Sequence, residues 1–365
     1  MPLVLLALGG VFAAVTPEFL GPRNLSMLLI ELSVTATLAV GMLVVILPGQ
    51  IDLAAGTGAG LLGGVASVLV FRYGWPSPVA LVTSFVLGVL IWSGMGAAIV
   101  RWRIQAFIVT LGGLLVFKGA FWLTIRTSTV PVTRGGEENL YALLTTFYLP
   151  ESAGLFLAGG FAAVATGIVV AQRRRRERVG LDVEPREIAF LKVFVAAQSV
   201  LLAVLVCNQH RGVPLAFLVF AAIAAAAHVV TQRTPFGRAL YAIGGNEEAA
   251  VVAGIPVARV VTTAFALMGG IVALTGFLQT AYAGASTVTV GEFMELDAVA
   301  ACVIGGASLR GGRGTVLGTL FGAAIMATLL NGMTLLALAP ELRLMARGVV
   351  LVLAVVLDLR LRRNR

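Results

Sequence analysis

Asp52 and Asp297 each interrupt a long apolar run in a 365-residue chain. A carboxylate at membrane depth is costly unless it faces protein or water. Two readings stay open: each acid caps a half-helix or holds a break beside a solute pathway, or each is an ordinary N-cap at the membrane edge. Gly305 and Gly306 close the short run that Asp297 begins and share its break role. Other chemistry is sparse. His210 and His228, Lys118 and Lys192, and Glu31 are scattered, and no Ser/His/Asp set or metal-ligand spacing joins them, so neither catalytic residue nor metal is assigned. The chain has only two lysines, followed by Gly119 and Val193, so the phosphate-cradling G-x-x-x-x-G-K-[ST] motif cannot occur. Cofactors are therefore expected to be none in this chain; if ATP and Mg drive it, they sit on a partner ATPase.

The most structured polar stretch is Thr234-Pro-Phe-Gly-Arg-Ala-Leu-Tyr-Ala-Ile-Gly-Gly-Asn-Glu-Glu-Ala-Ala-Val-Val-Ala-Gly-Ile-Pro256. Thr234 suits an N-cap and Pro235 a first helical position, which predicts a short helix over 235–243, stopped by Gly244 and Gly245. Asn246 then caps a second helix, with Glu247 and Glu248 at the positive end of its dipole and Ala249 in its first turn. Gly254 stands where a C-cap glycine belongs, two residues before Pro256. A helix of about seven residues is far below the ~12–15 needed for marginal stability alone in water, so either the bundle or another protein must hold it.

The elements around these residues are membrane spans. Hydrophobic residues make up 59% of the chain, with 43 glycines besides, and mean hydropathy is +1.00; soluble domains average roughly 45–50% apolar residues with glycine included. The expected fold is all-α, a single polytopic transmembrane helical bundle over residues 1–365 with about ten to twelve hydrophobic segments, some broken or half-length. Leu3–Val15 lacks the basic region of a signal peptide and reads as a short first span. Glu295–Gly306 is too short to cross. Cys207 and Cys302 lie far apart in apolar segments and read as small buried hydrophobes.

The net charge of +9 is carried by arginines beside the spans, in 172–178, at Arg233, Arg238 and Arg259, and in the tail from Arg360. No aromatic residues interleave them, which argues against nucleic acid and for the positive-inside rule, with some attraction to membrane lipid. That rule puts the 172–188 loop, the 233–259 segment, Arg101, Arg103 and both termini in the cytoplasm, and the 124–151 loop outside. Gly56, Gly60 and Gly64 recur every fourth residue after Asp52, and Gly314, Gly318 and Gly322 do so after Asp297. Such ladders permit close backbone packing, and their repetition points to a two-fold internal repeat.

Several motifs, in order, resemble the permeases of ribose- and xylose-type ABC importers. They are Leu38-Ala-Val-Gly-Met42, Gln50-Ile-Asp-Leu53, Phe107-Ile-Val-Thr-Leu-Gly-Gly113, Tyr241-Ala-Ile-Gly-Gly-Asn-Glu-Glu-Ala-Ala250 with Gly254, and Glu295–Leu320 continuing to Asn331-Gly-Met333. Pro48-Gly-Gln departs from the more usual Thr-Gly-Gly/Glu, and Ala54-Ala-Gly from Ser-x-Gly, which bears on the local break geometry. The long 124–151 loop and the arginine-rich insertion look more like the xylose-type branch.

The resemblance implies a multi-pass protein of the bacterial-type cytoplasmic (inner) membrane that pairs with a second permease copy. It also implies an ATP-binding-cassette ATPase subunit inside and an external sugar-binding protein outside. In that family the 233–259 segment couples to the ATPase, so Asn246, Glu247, Glu248, Ala249 and Gly254 carry that expectation. The expected cargo is a monosaccharide, a pentose such as xylose, moved by alternating access. Trp92, Gln279, Asn331 and Thr334 are candidates for the substrate pathway, because a neutral sugar needs hydrogen-bonding and aromatic groups. A nucleoside or other small polar solute on the same machinery is the alternative, followed by an ion-coupled secondary transporter using Asp52 and Asp297, and by a membrane scaffold.

Overall fold

A computed structural model describes residues 2–135, 138–180 and 182–363. Gly136 and Glu137 of the 124–151 loop, Leu181 of the 172–188 loop, and Asn364 and Arg365 of the tail lie outside the described residues. The helices are α1 (Pro2–Val15), α2 (Pro22–Ile46), α3 (Ala55–Phe71), α4 (Ser77–Trp102), α5 (Ala106–Ile125), α6 (Leu140–Thr146), α7 (Glu151–Arg178) and α8 (Arg186–Asn208), followed by α9 (Leu215–Arg233), α10 (Pro235–Gly245), α11 (Glu247–Val252), α12 (Val257–Ala283), α13 (Met294–Ile304), α14 (Val316–Leu335) and α15 (Pro340–Arg363). Among the described residues, eight are long and apolar enough to cross a membrane, and α1 and α3 are shorter apolar helices. The chain is a polytopic helical membrane protein.

α2 is the axis of the bundle. From Ala36 to Leu47 its apolar residues are almost wholly enclosed, which is possible because α12, α13, α14 and α9 all pack around it. An all-round apolar helix of this kind belongs inside a bundle, where an amphipathic one would lie at the surface. α12 packs against α4, α3 and α2. At its closest approach to α4, Gly88 and Gly269 face each other so tightly that a Cβ on either would overlap the other's carbonyl oxygen or Trp92. Lipid offers helices little hydrophobic reason to associate, so small-residue contacts of this sort supply the packing.

The two glycine ladders have different partners. Gly318 and Gly322 of α14 lie against Gly305 and Ala301 of α13, a helix-to-helix contact. Gly56, Gly60 and Gly64 of α3 instead receive a non-helical run of turns: Ser286 lies beside Gly64, Val290 beside Gly60, and Gly291 beside Gly56. The eight residue steps of α3 from Gly64 to Gly56 rise about 12 Å, so this segment descends about that far along the helix. Irregular backbone within a membrane bundle is tolerated where protein encloses it or where it lines a cavity, as Thr289, Gly291 and Phe293 do. A short antiparallel pairing of β1 (Val130–Pro131) with β4 (Ala285–Ser286) anchors its upper end; β2 (Tyr148–Leu149) pairs with β3 (Val213–Pro214) elsewhere in the loops.

The 124–151 loop holds more order than its polarity implies. α6 is capped by the Asn139 side chain, which accepts from the Ala142 amide at 3.0 Å. Its Tyr141 is fully buried and donates from its hydroxyl to the Gly63 carbonyl at 2.9 Å. Lys118 pairs with Glu292 at 2.7 Å. The Cys302 thiol donates to the Ala39 carbonyl at 3.2 Å, and both cysteines are free and buried.

Candidate functional site

The polar stretch forms the helix pair its residues predict. The Thr234 hydroxyl accepts from the Gly237 amide at 3.1 Å, and Asn246 Oδ1 accepts from the Ala249 amide at 2.9 Å. Gly254 takes φ +79°, the left-handed geometry that glycine adopts without strain. One boundary differs: α10 runs on through Gly244 and Gly245 instead of stopping before them. The reason is tertiary. Gly244 is pressed against the Leu47 carbonyl and the Gly312 amide, where a Cβ would overlap both.

That contact joins three loops. The Gly312 amide donates to the Leu47 carbonyl at 2.9 Å, so the break after α2 and the break between α13 and α14 are bonded to each other. Three residues before Gly244, the Tyr241 hydroxyl donates to the Gly314 carbonyl at 2.7 Å. Consecutive glycines at 244–245 and 311–312, with Pro48-Gly49, were the sequence signal for this approach. It was visible only as turn chemistry.

α11 projects from this joint. Ala250 is buried, whereas Glu247, Glu248 and Ala249 are exposed and Val252 is 89% exposed. A row of two acids and two valines thus stands uncovered beyond the bundle. Beneath it, a cavity of about 720 Å³ lies between Glu247, Arg103, Gln105 and the Gly49–Ile51 break.

Asp52 is fully buried and doubly bonded at that break. It accepts from the Ala54 amide at 2.8 Å and from the Trp92 indole N–H at 2.6 Å. Charge-assisted hydrogen bonds of this kind make a buried carboxylate affordable. Asp297 sits in the first turn of α13 and faces Arg347 at 3.7 Å. Gly305 caps the C-terminus of α13 and Gly306 follows at φ +88°, which ends the helix. The two aspartates hold different structures, one a break after a span and the other the start of a half-helix. Glu295, which sequence reasoning passed over, is also buried and lies against Gly56.

A second cavity, of about 580 Å³, lies between α2, α12, α14 and α15 at the end away from α10 and α11. Gln279 and Thr334 line it, with Glu31, Tyr282, Asp297 and Arg343. Asn331 is buried just beneath, in a reciprocal amide pair with Asn24 at 2.9 and 3.1 Å, and donates to Glu31 at 3.2 Å. Glu31 also accepts from the Tyr282 hydroxyl at 2.9 Å. Trp92 is not part of this group: it is enclosed, with its indole on Asp52 and its ring over Gly58 and Phe117. Its position is that of a break-holding residue.

A protein-family profile described as branched-chain amino acid transport system / permease component matches residues 24–355. The chain belongs to that permease family. This permease is 39% identical to the xylose transport system permease protein XylH of Haemophilus influenzae over 346 residues, 93% of this chain and 90% of the relative. It is 38% identical to XylH of Escherichia coli K12 over 341 residues, 93% of this chain and 86% of the relative. To the ribose import permease protein RbsC of Haemophilus influenzae it is 30% identical over 358 residues, 98% and 91% of the two chains. No solved structure matches it.

Proposed function

We propose that this permease is the membrane subunit of an importer for a monosaccharide, a pentose and specifically xylose, working by alternating access. What carries the substrate reading is the 38–39% identity to xylose permeases over 93% of the chain. The family description names branched-chain amino acids, yet relatives carrying xylose and ribose names match nearly end to end. ATP and Mg belong to a separate ATPase subunit in this scheme, since the chain has no P-loop lysine. An external binding protein delivers the sugar, and a second copy of the permease completes the pathway in the inner membrane, with both termini cytoplasmic.

The exposed pair α10–α11 is the surface on which the ATPase bears. Asn246 and Gly254 set the ends of α11, while Glu247, Glu248 and Ala249 form its outward face. Movement of the ATPase domains pushes α10, and Gly244 passes the push to Leu47 and Gly312, hence to α2, α3, α13 and α14 together. Gln279, Thr334 and Glu31 then offer hydroxyl-matching donors and acceptors on the route the sugar takes, with Asn331 supporting Glu31 from beneath. Neutral polyols are recognised by such groups, which leave specificity to geometry.

Reconstitution of the permease with its neighbouring ATPase and binding protein in liposomes tests this. ATP-dependent uptake of labelled xylose, with ribose weaker and leucine absent, is expected. Uptake of leucine in preference to both sugars would overturn the sugar reading, and uptake that needs an ion gradient but no ATPase would overturn the importer class.

A further inference from the structure

The helical hairpin α7–α8 stands apart from the bundle. Buried residues are confined to Gly154 and Ala158 on α7 and to Ala189, Val204 and Cys207 on α8. The two helices pack on each other, and α8 touches α2 only at the end near β3. Toward the arginine end they leave a groove of about 540 Å³. Its walls are apolar, with Val169 on α7 facing Val193 and the stacked Phe190–Phe194 pair, ring centroids 5.7 Å apart, on α8. Its rim is cationic, formed by Arg173, Arg174 and Arg186.

The rim has charge to spare. Glu177 also lines the groove, but Arg173 holds it at 3.8 Å and donates as well to the Glu184 carbonyl. Among the described residues, Arg174 and Arg186 pair with no carboxylate within 4.0 Å. The groove's depth is equally specific. From Ala162, at its far end, to Arg173 is eleven residues, about 16 Å of helix rise. That is about half of a ~30 Å hydrocarbon core, the depth of one leaflet.

We propose that this groove binds one anionic phospholipid, its phosphate on Arg173, Arg174 and Arg186 and an acyl chain along Val169, Val193 and Phe194. Basic pockets between membrane helices recognise anionic headgroups by the same charge arithmetic. The hairpin, which has little protein to lean on, is thereby completed by lipid.

Native mass spectrometry of the full-length permease from nanodiscs of phosphatidylglycerol and phosphatidylcholine tests the site. The wild type retains phosphatidylglycerol through delipidation. The triple variant Arg173→Gln/Arg174→Gln/Arg186→Gln binds it on the order of a hundredfold more weakly, whereas Arg175→Gln/Arg176→Gln/Arg178→Gln, an equal loss of charge outside the groove, retains it. Ala197→Phe fills the groove with every charge kept and also loses the lipid, which supplies an answer should the triple variant fail to insert. Equal loss in both arginine sets would reduce the effect to surface electrostatics and overturn the site. Dissociation of a permease dimer by Ala197→Phe with lipid retention unchanged would identify a second copy as the occupant, and would overturn it too.

Discussion

The Gly312 amide donates a 2.9 Å hydrogen bond to the Leu47 carbonyl, and through it two helix breaks some 265 residues apart in sequence form one joint. Gly244 of α10 rests on that bond from outside the bundle. At this joint α10 touches both breaks at once. A lever needs a stiff arm and a fulcrum with no slack; in the coupling proposed above α10 is the arm, and the three-way backbone contact leaves no room for a side chain.

Gly244→Ala places a methyl group on the Leu47 carbonyl and the Gly312 amide. Backbone cannot move aside as a flexible side chain can, so a cost of about 1–3 kcal/mol, the range for overpacking, is expected. ATP-driven uptake should fall sharply while the protein still inserts and binds the ATPase. Full uptake with Gly244→Ala would show that the joint does not transmit motion.

α11 offers an independent test of the coupling surface. Glu247→Arg reverses a charge on its exposed face, and Gly254→Pro replaces φ +79° by a residue confined near −65°. Both should abolish uptake without unfolding the bundle. Asn246→Ala removes a cap worth about 1 kcal/mol and should weaken uptake less. Retained uptake, with ATPase association intact, in both of the first two variants would remove α11 from the coupling role.

Trp92→Phe keeps a ring over Gly58 but deletes the donor to Asp52 Oδ2. Leaving a buried acceptor without its partner costs about 1–3 kcal/mol. Thermal unfolding in detergent should shift downward, and the shift should shrink when Asp52→Ala is combined with it. Additive losses in the double variant would mean the two residues do not act together.

At the other end of the bundle, Gln279→Ala should raise the sugar concentration needed for half-maximal uptake with little effect on stability, since Gln279 lines the cavity. Asn331→Ala should instead lower stability, because it breaks contacts to Asn24 and Glu31. Uptake titrations beside thermal melts distinguish the two. Equal effects of both variants on both readouts would remove the distinction between lining and supporting residues.

Much of this was legible from residue order alone. Apolar length and arginine placement specify a multi-pass bundle, because a bilayer requires satisfied backbone and about 20 apolar residues per crossing. The caps at Thr234, Asn246 and Gly254 also follow from local chemistry, since each bond is made within four residues. The rest depended on contacts between distant segments. Gly244 reads as a helix stop by itself, and only the approach of Leu47 and Gly312 turns it into a bearing. The ladders of Gly56–Gly64 and Gly314–Gly322 look alike in sequence, yet the first seats a run of turns, whereas Gly318 and Gly322 of the second seat a helix end. Trp92, an aromatic candidate for the sugar route, belongs instead to Asp52, forty residues earlier. Local spacing determines which backbone shapes are available; which chain fills the space a glycine leaves is decided only when the bundle closes.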